Sequence, residues 1–373
     1  MWVELQINIF MCFLMLLTLI HGYSKLDTSK EVYKYFLLAK ALIIFIMGLE
    51  CITVILNGHM YSNYTVTFHK ITNVIGFLLT PSIPFLYWAF LTRWLNIEKK
   101  YKLLEKIFIL LIIINGVLSI LSYRFNLIFN VQNNGVYERG PVFLVNTFIC
   151  LVIILGCAYI ILKNFRFLSR EEKIVFILNL LIPVLLSVIQ INTFKFLTIW
   201  SSCSIICILT YAFLLNDKSK KDPLTGLYNK QVYYDEINKA LKRQYKYLTI
   251  INIDIDKFKS INDNFGHAEG DRALIELSSI LYTTFKGIGK ALRVGGDEFL
   301  VFLYESDPLK VEVIIDDMFQ LLDRYNRTQN KPYNINISYG VKVVDSNNVD
   351  IHGALIECDK LMYKNKSKKA ASK

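Results

Sequence analysis

No two of the seven cysteines stand in a Cys-x-x-Cys spacing, so neither a zinc site nor a disulfide framework is indicated. Cys12, Cys51, Cys150, Cys157, Cys203 and Cys207 fall inside apolar stretches, where small-residue packing accounts for them, and Cys358 stands apart in the second half. Residues 1–22 have no basic leader ahead of their apolar run, which argues against a signal peptide and makes them the first expected membrane span. The second half also has no basic excess: from Asp222 onward 22 Lys and Arg face 21 Asp and Glu. A nucleic-acid groove is therefore not expected, despite a formal net charge of +11. Nor does a long heptad stretch separate the two halves.

What the chain does have is apolar length. A hydrophobic share of 54% and a mean hydropathy of +0.38 are too high for an ordinary soluble protein. Seven apolar stretches, roughly 5–21, 36–57, 71–92, 106–123, 141–162, 174–190 and 196–215, approach the length needed to cross about 30 Å of hydrocarbon. Up to Lys221 there are 20 Lys and Arg against 10 Asp and Glu, and the basic residues gather in alternate connections. Lys25, Lys30 and Lys34, then Arg93, Lys99, Lys100 and Lys102, then Lys163, Arg166, Arg170 and Lys173 mark the cytoplasmic side. The intervening connections hold little more than Lys70, Arg124, Arg139 and Lys195. The N-terminus is accordingly expected outside, with a multi-pass helical domain over 1–216 and a cytoplasmic domain over 217–373. Glu50, deep in the second span, is costly in hydrocarbon and is expected either to be linked to a signal or to hydrogen-bond a neighbouring helix through a residue such as Asn146 or Asn179.

The second half alternates elements. Helical periodicity runs through Val232, Ile237 and Leu241; a β-rich run covers 247–254; helices are expected at about 269–285, 309–327 and 351–366. A hairpin at about 289–303 and a strand at 334–344 complete one α/β or α+β domain with an antiparallel component. Two acidic clusters stand out. Asp254-Ile255-Asp256 ends the central strand, and the hairpin carries Gly295-Gly296-Asp297-Glu298 at its tip. Carboxylates converging at strand ends suit a hard divalent ion, but a Gly-Gly turn with solvated acids explains the hairpin equally. Asn262, Asp263, Asn264 and Asp271 serve either as helix caps or, as an amide and a carboxylate, as partners for the Watson–Crick edge of guanine.

Together these pieces resemble the diguanylate cyclase (GGDEF) family along the whole second half: DPLTGLYNK (222–230), DIDKFKSIND (254–263), FGHAEGD (265–271), RVGGDEF (293–299), ISYG (337–340) and DKLMYKNK (359–366). The seven-span half resembles, more loosely, the sensor regions that precede bacterial histidine kinases and cyclases. The first resemblance implies an α+β fold like that of nucleotidyl cyclases and polymerase palms, and the joining of two GTP into cyclic di-GMP and two pyrophosphates. Asp254, the Ile255 carbonyl and Asp297 would hold Mg²⁺ or Mn²⁺, and Glu298 would complete that site or help deprotonate the attacking 3′-hydroxyl. Asn262 and Asp271 would bind guanine, His267 and Phe258 would belong to the nucleotide pocket, and Lys259 and Lys366 would meet the triphosphate. Gly295 and Gly296 would admit close backbone approach. One GTP per domain implies a homodimer with facing half-sites.

Two departures carry consequences. The family's Gly-Arg-Asn after the final-helix lysine is replaced by Ser367-Lys368-Lys369-Ala370-Ala371, so phosphate binding passes to Lys368 or Lys369, weakens, or leaves those lysines as a solvated tail, the more expected outcome. The family's inhibitory Arg-x-x-Asp reads Lys286-Gly287-Ile288-Gly289 here, so product feedback is not expected. Two other readings stay open: a catalytically weak GTP-binding receptor acting by contact, and a transporter with a regulatory domain, given Pro81 and Pro84 within one span. The short outside segments leave the signal as a small molecule or a membrane-protein partner.

Overall fold

The computed structural model describes residues 2–58, 62–193, 199–242, 247–329, 331–344 and 350–371. The chain divides into two compact units, Met1–Leu215 and Asn216–Lys373. In the first, α1 (Trp2–Lys25), α2 (Glu31–Leu56), α3 (Asn63–Leu79), α4 (Ser82–Trp94), α5 (Lys102–Phe125), α6 (Phe143–Lys163), α7 (Arg170–Thr193) and α8 (Ile199–Ser219) follow in order. Among the described residues they supply seven helical segments long and apolar enough to cross a membrane, α3 and α4 together making one of them. Many outward side chains of α5 are large and apolar, Ile109, Leu110, Ile113, Val117 and Ile120 among them.

The break between α3 and α4 follows from Pro81, which lacks the N–H that would bond the carbonyl four residues back. That carbonyl belongs to Phe77, and it is satisfied from two other helices: Asn115 Nδ2 donates to it at 2.8 Å and Asn146 Nδ2 at 3.1 Å. Asn146 also donates to Asn115 Oδ1 at 2.9 Å. Glu50 does hydrogen-bond a neighbouring helix, as expected, but through Asn8 rather than through Asn146 or Asn179, the examples the sequence offered. Asn8 Nδ2 of α1 donates to Glu50 Oε2 at 2.9 Å, and Ser201 Oγ of α8 donates to Asn8 Oδ1 at 2.8 Å. Asn179 instead donates to Thr210 Oγ1 at 2.9 Å. A second deep charge went unrecognised in the sequence. Lys40 is fully buried, its Nζ 4.3 Å from the centre of the Tyr211 ring and without a hydrogen-bond partner among the described residues.

A two-stranded hairpin, β1 (Phe129–Val131) with β2 (Tyr137–Arg139), was also unforeseen between α5 and α6. Its signal was Asn134-Gly135, where Gly135 takes φ 78° in the turn.

The second unit contains α9 (Lys230–Leu241), β3 (Thr249–Ile255), α10 (Phe258–Phe265), α11 (His267–Phe285), β4 (Gly289–Arg293), β5 (Glu298–Leu303), α12 (Pro308–Thr328), β6 (Ile337–Val343) and α13 (Ile351–Ala371). The strands form one sheet in the order β4-β5-β3-β6, antiparallel at each pairing. Alternate residues of a strand point to opposite faces, and both faces are covered. Ile251, Ile253, Ile255, Phe299, Val301 and Leu303 pack with α11 and α12, while Ile250, Leu300 and Phe302 pack with α9 and α13. Cover on both sides explains why β3 is an apolar run without strict alternation.

Candidate active site

Strand register brings the two acidic clusters together. Asp254 of β3 and Glu298 of β5 are directly paired across the sheet, and both belong to the alternating set of residues that faces α13. Ser338 of β6 is the partner of Asp254 on the other side. Asp254 is buried, Asp297 is half-buried at the hairpin tip, and Glu298 is exposed.

The hairpin tip is held by Arg293 of β4, itself anchored from outside the hairpin. Arg293 donates from Nε and Nη2 to the Gly296 carbonyl at 3.1 and 2.8 Å, and from Nη1 to Asp222 Oδ1 at 3.1 Å. Asp222 Oδ1 also accepts from the Thr225 amide at 2.9 Å and hydroxyl at 2.7 Å. Burial works against the Asp222 charge, but the hydrogen bonds from Thr225 and the Arg293 guanidinium outweigh it and hold the carboxyl below its ordinary value. The turn at 222–227 therefore positions the signature loop, a role for Asp222 and Arg293 that motif reading alone did not assign. A Cβ on Gly295 would lie 2.8 Å from Glu298 Oε2, so this glycine makes room for the acid, whereas nothing lies within 4 Å of the Cβ position of Gly296. The second glycine leaves open space beside the loop.

On the far side of β3, Lys257 adopts a left-handed backbone, φ 56°, which turns the chain from the strand directly into α10. Asn262 of α10 lies against Gly270 of α11: a Cβ there would come within 1.9 Å of Asn262 Oδ1. This brings Asn262 next to the turn of α11 that carries Asp271. His267 opens α11 after Gly266 (φ 86°), and His267, Asp271 and Lys259 are all exposed. Phe258 is half-buried and packs against the core beneath, so its ring supports the loop.

The charges come from α13. Lys366 Nζ donates to Asp254 Oδ1 at 2.6 Å, and Lys369 Nζ lies 3.5 Å from Asp256 Oδ2 and donates to the Ile337 carbonyl. Asp256 also accepts from Ser338 Oγ at 2.6 Å. The expectation of a solvated lysine tail fails for Lys369, because α13 continues to Ala371 and delivers its side chain to the site. Burial first, then the charges of Asp297 and Asp256, push the Asp254 carboxyl above its ordinary value in spite of Lys366. Burial works to lower Lys366, but its hydrogen bond to Asp254 and the charges of Asp254, Asp297 and Asp256 outweigh it and raise it. Asp297 and Asp256 contribute to both shifts, whereas burial raises the Asp254 value and works against that of Lys366.

That donor set fits a hard divalent cation: carboxylate oxygens under-compensated by charge, with an ammonium already drawn onto one of them. Among the described residues no three acidic, His or Cys side chains come together so as to hold a metal ion by themselves. A cation here would need further oxygens, such as the Ile255 carbonyl and those of a substrate, to complete its shell.

Residues 219–372 match the family model "Diguanylate cyclase, GGDEF domain". The chain is 30% identical over 151 residues to the probable diguanylate cyclase DgcJ of Escherichia coli (strain K12), covering 40% of this chain and 29% of that protein. It is 32% identical over 156 residues to the diguanylate cyclase DgcP of the same strain, covering 41% of this chain and 46% of that protein. The chain thus spans less than half the length of either relative. Among solved structures, the coiled coil and GGDEF domain of DgcB from Caulobacter crescentus, in complex with c-di-GMP, aligns at 20% identity and a TM-score of 0.40, over 45% of this chain and 91% of that one.

Proposed function

We propose that this chain, whose residues 219–372 form a GGDEF domain, is a membrane-anchored diguanylate cyclase. The observation that carries the reading is the pairing of Asp254 with Glu298 on the sheet face where α13 presents Lys366. Carboxylates and an ammonium at one strand end support a reading in which the acids take a cation and the lysine takes phosphate. The helices of the first unit, with their outward apolar faces, support the membrane anchor.

In this reading Asn262 and Asp271 take the guanine edge, with His267 beside them, and Lys259 and Lys366 take triphosphate oxygens. Gly296 lets the nucleotide lie against backbone. Asp254, Asp297 and the Ile255 carbonyl would hold Mg²⁺ or Mn²⁺, which supplies charge to polarise the α-phosphate and acidify the hydroxyl. The 3′-oxygen of one GTP attacks the α-phosphorus of the other, and the bond to the pyrophosphate breaks. The hydroxyl proton passes to Glu298, exposed at the hairpin. Repeating the step with the roles exchanged closes the ring, giving one cyclic di-GMP and two pyrophosphates. Each domain contributes one bound GTP, so two chains meet face to face.

The test is direct. Full-length protein in detergent, given GTP with Mg²⁺ or Mn²⁺, is expected to yield cyclic di-GMP and pyrophosphate, identified by mass. GTP returned intact with both metals would overturn the reading.

The same assay addresses feedback. At 286–289 the chain reads Lys-Gly-Ile-Gly, and a Cβ on Gly289 would stand 2.7 Å from the Phe302 carbonyl of the paired strand. No carboxylate-bearing residue fits there unless β5 moves. Initial rates at saturating GTP are expected to be unchanged by added cyclic di-GMP. Inhibition that persists at saturating GTP would show an allosteric product site.

A further inference from the structure

Lys40 of α2 is a deep charge that the first unit leaves unanswered. It is fully buried, and its Nζ has no hydrogen-bond partner among the described residues. The nitrogen stands 4.3 Å from the centre of the Tyr211 ring and 5.7 Å from that of Phe36, two rings stacked at an interplanar angle of 10°. Ring faces attract an ammonium but are poor acceptors for its N–H groups. The positions three and four residues away on α2 are Phe36, Leu37, Ile43 and Ile44, none of them acidic. Glu50 is about 15 Å further along at the rise of an α-helix, and it accepts from Asn8. A buried charge without a counter-charge is costly, and an anion from outside the chain is its complement.

The surroundings decide which anion fits. Ser204 Oγ of α8 donates to Met47 Sδ of α2 at 3.0 Å. Lys40, earlier on α2, meets Tyr211, later on α8, so the two helices lie side by side and antiparallel. The third side is α1. Tyr211 Oη lies 2.6 Å from Nδ1 of His21, an exposed residue, and a Cβ on Gly22 would lie 2.9 Å from Leu37 Cδ2 and 3.6 Å from Tyr211 Cε2. Three helices thus enclose the ammonium, and Tyr211 links it to a histidine at the unit's surface. One cation between walls such as Phe36, Leu37, Ile43 and Met47 suits one negative head group on an apolar body. A polyanion would bring charge that nothing here answers, and a hydrophilic solute would be desolvated against those walls.

We propose that Lys40 anchors a binding site, formed by α1, α2 and α8, for a monoanionic amphiphile: a single carboxylate or phosphodiester head on an acyl chain. The inference rests on the membrane placement proposed above and not on the cyclase reaction. The head group accepts the N–H groups of Lys40 and supplies the missing charge. Drawing the ammonium toward that head loosens its contact with Tyr211. That residue belongs to α8, the helix from which the chain passes into the second unit at Asn216, so occupancy acts on the last span before the GGDEF domain.

The probe is dodecanoate carrying a photoreactive diazirine on its chain, added to full-length protein in phosphatidylcholine nanodiscs, with labelled peptides identified by mass. Labelling within α1, α2 or α8 is expected, competed by excess dodecanoate but not by dodecanol, which has the same chain without the charge. Lys40→Met is expected to lower that labelling about tenfold, since a charge-assisted contact is lost. Lys40→Gln, which keeps a polar head, should lose it likewise, Lys40→Arg should retain it, and Lys34→Ala, at an exposed position of the same helix, should match wild type. Stability is expected to move the other way. Without ligand, Lys40→Met should unfold a few degrees above wild type, because an unanswered charge leaves the interior. Suppression of labelling by phosphatidylglycerol in the disc would make a lipid head the occupant; labelling that persists beside it would make the occupant a free acid. Equal labelling of wild type and Lys40→Met, equal competition by dodecanol, or lower stability of both neutral variants without ligand would overturn the site. Wild-type protein that fails to enter nanodiscs would remove the membrane placement and this inference together, whereas the outcome of the GTP assay bears on the cyclase reading alone.

Discussion

Replacing Asp254 or Asp297 with alanine is expected to abolish cyclic di-GMP synthesis, lowering kcat by about a thousandfold or more, because each substitution removes charge on which the transferring phosphate depends. The two acids are not redundant. Asp254 is fixed by its place in the central strand, between Glu298 on one side and Ser338 on the other, while Asp297 belongs to the tip held by Arg293. Asp256, the nearest spare carboxylate, is occupied by Ser338 and Lys369. Folding should survive both changes. Losing Asp254 leaves Lys366 unpaired, but its side chain is 39% exposed and water can take over, so the stability change should stay within about 1 kcal/mol. Asp254→Asn, which keeps the shape and the hydrogen bond, provides a second variant. The measurement is single-turnover product formation at saturating Mn²⁺, beside thermal unfolding of the same samples. Near-normal rates in either alanine variant would remove the assignment of these acids to the reaction.

Gly340→Ala is expected to be as damaging through structure alone. A Cβ at this position in β6 would lie 2.0 Å from the Cys358 carbonyl oxygen and 2.6 Å from the Met362 nitrogen, both backbone atoms of α13. Backbone cannot rotate aside as a side chain can. The helix must lift from the sheet, opening the cluster in which Ile250, Phe302, Ile351 and Cys358 pack. A cost of about 3 kcal/mol or more is expected, in the range of severe overpacking. Lys366 and Lys369 would move with the helix, so activity should fall as well. All four tryptophans precede residue 216 and would not report on this unit. Urea-dependent tryptic cleavage within lysine-rich α13 is the suitable readout, and a midpoint equal to wild type would contradict the predicted clash.

Some of this was written in local pattern. Apolar runs of span length, the run at 247–254, the amphipathic stretch of α11 and the glycine pair before Asp297 each express a preference within one element, where period and propensity decide. They are enough to foresee helices in the first half, a hairpin tipped with acids and a strand ending in acids. The short β1–β2 hairpin escaped because three-residue strands leave almost no periodic signal; only Asn134-Gly135 marked it.

Contacts between elements were decided by packing. Asn8 and Glu50 are 42 residues apart, and Asp256 and Lys369 are 113 apart. No pattern within either helix says which of several asparagines will face Glu50, because that depends on how two helices cross and rotate. Pro81 announced a broken span, but not that Asn115 and Asn146 would converge on the carbonyl it frees. The arginine missing after Lys366 was visible in the sequence; that α13 would run far enough to bring Lys369 to Asp256 was not, since this rests on Gly340 letting the helix approach the sheet. Side-chain type and spacing determine which chemistry a residue can perform, whereas the close approach of backbones determines which residue is near enough to perform it.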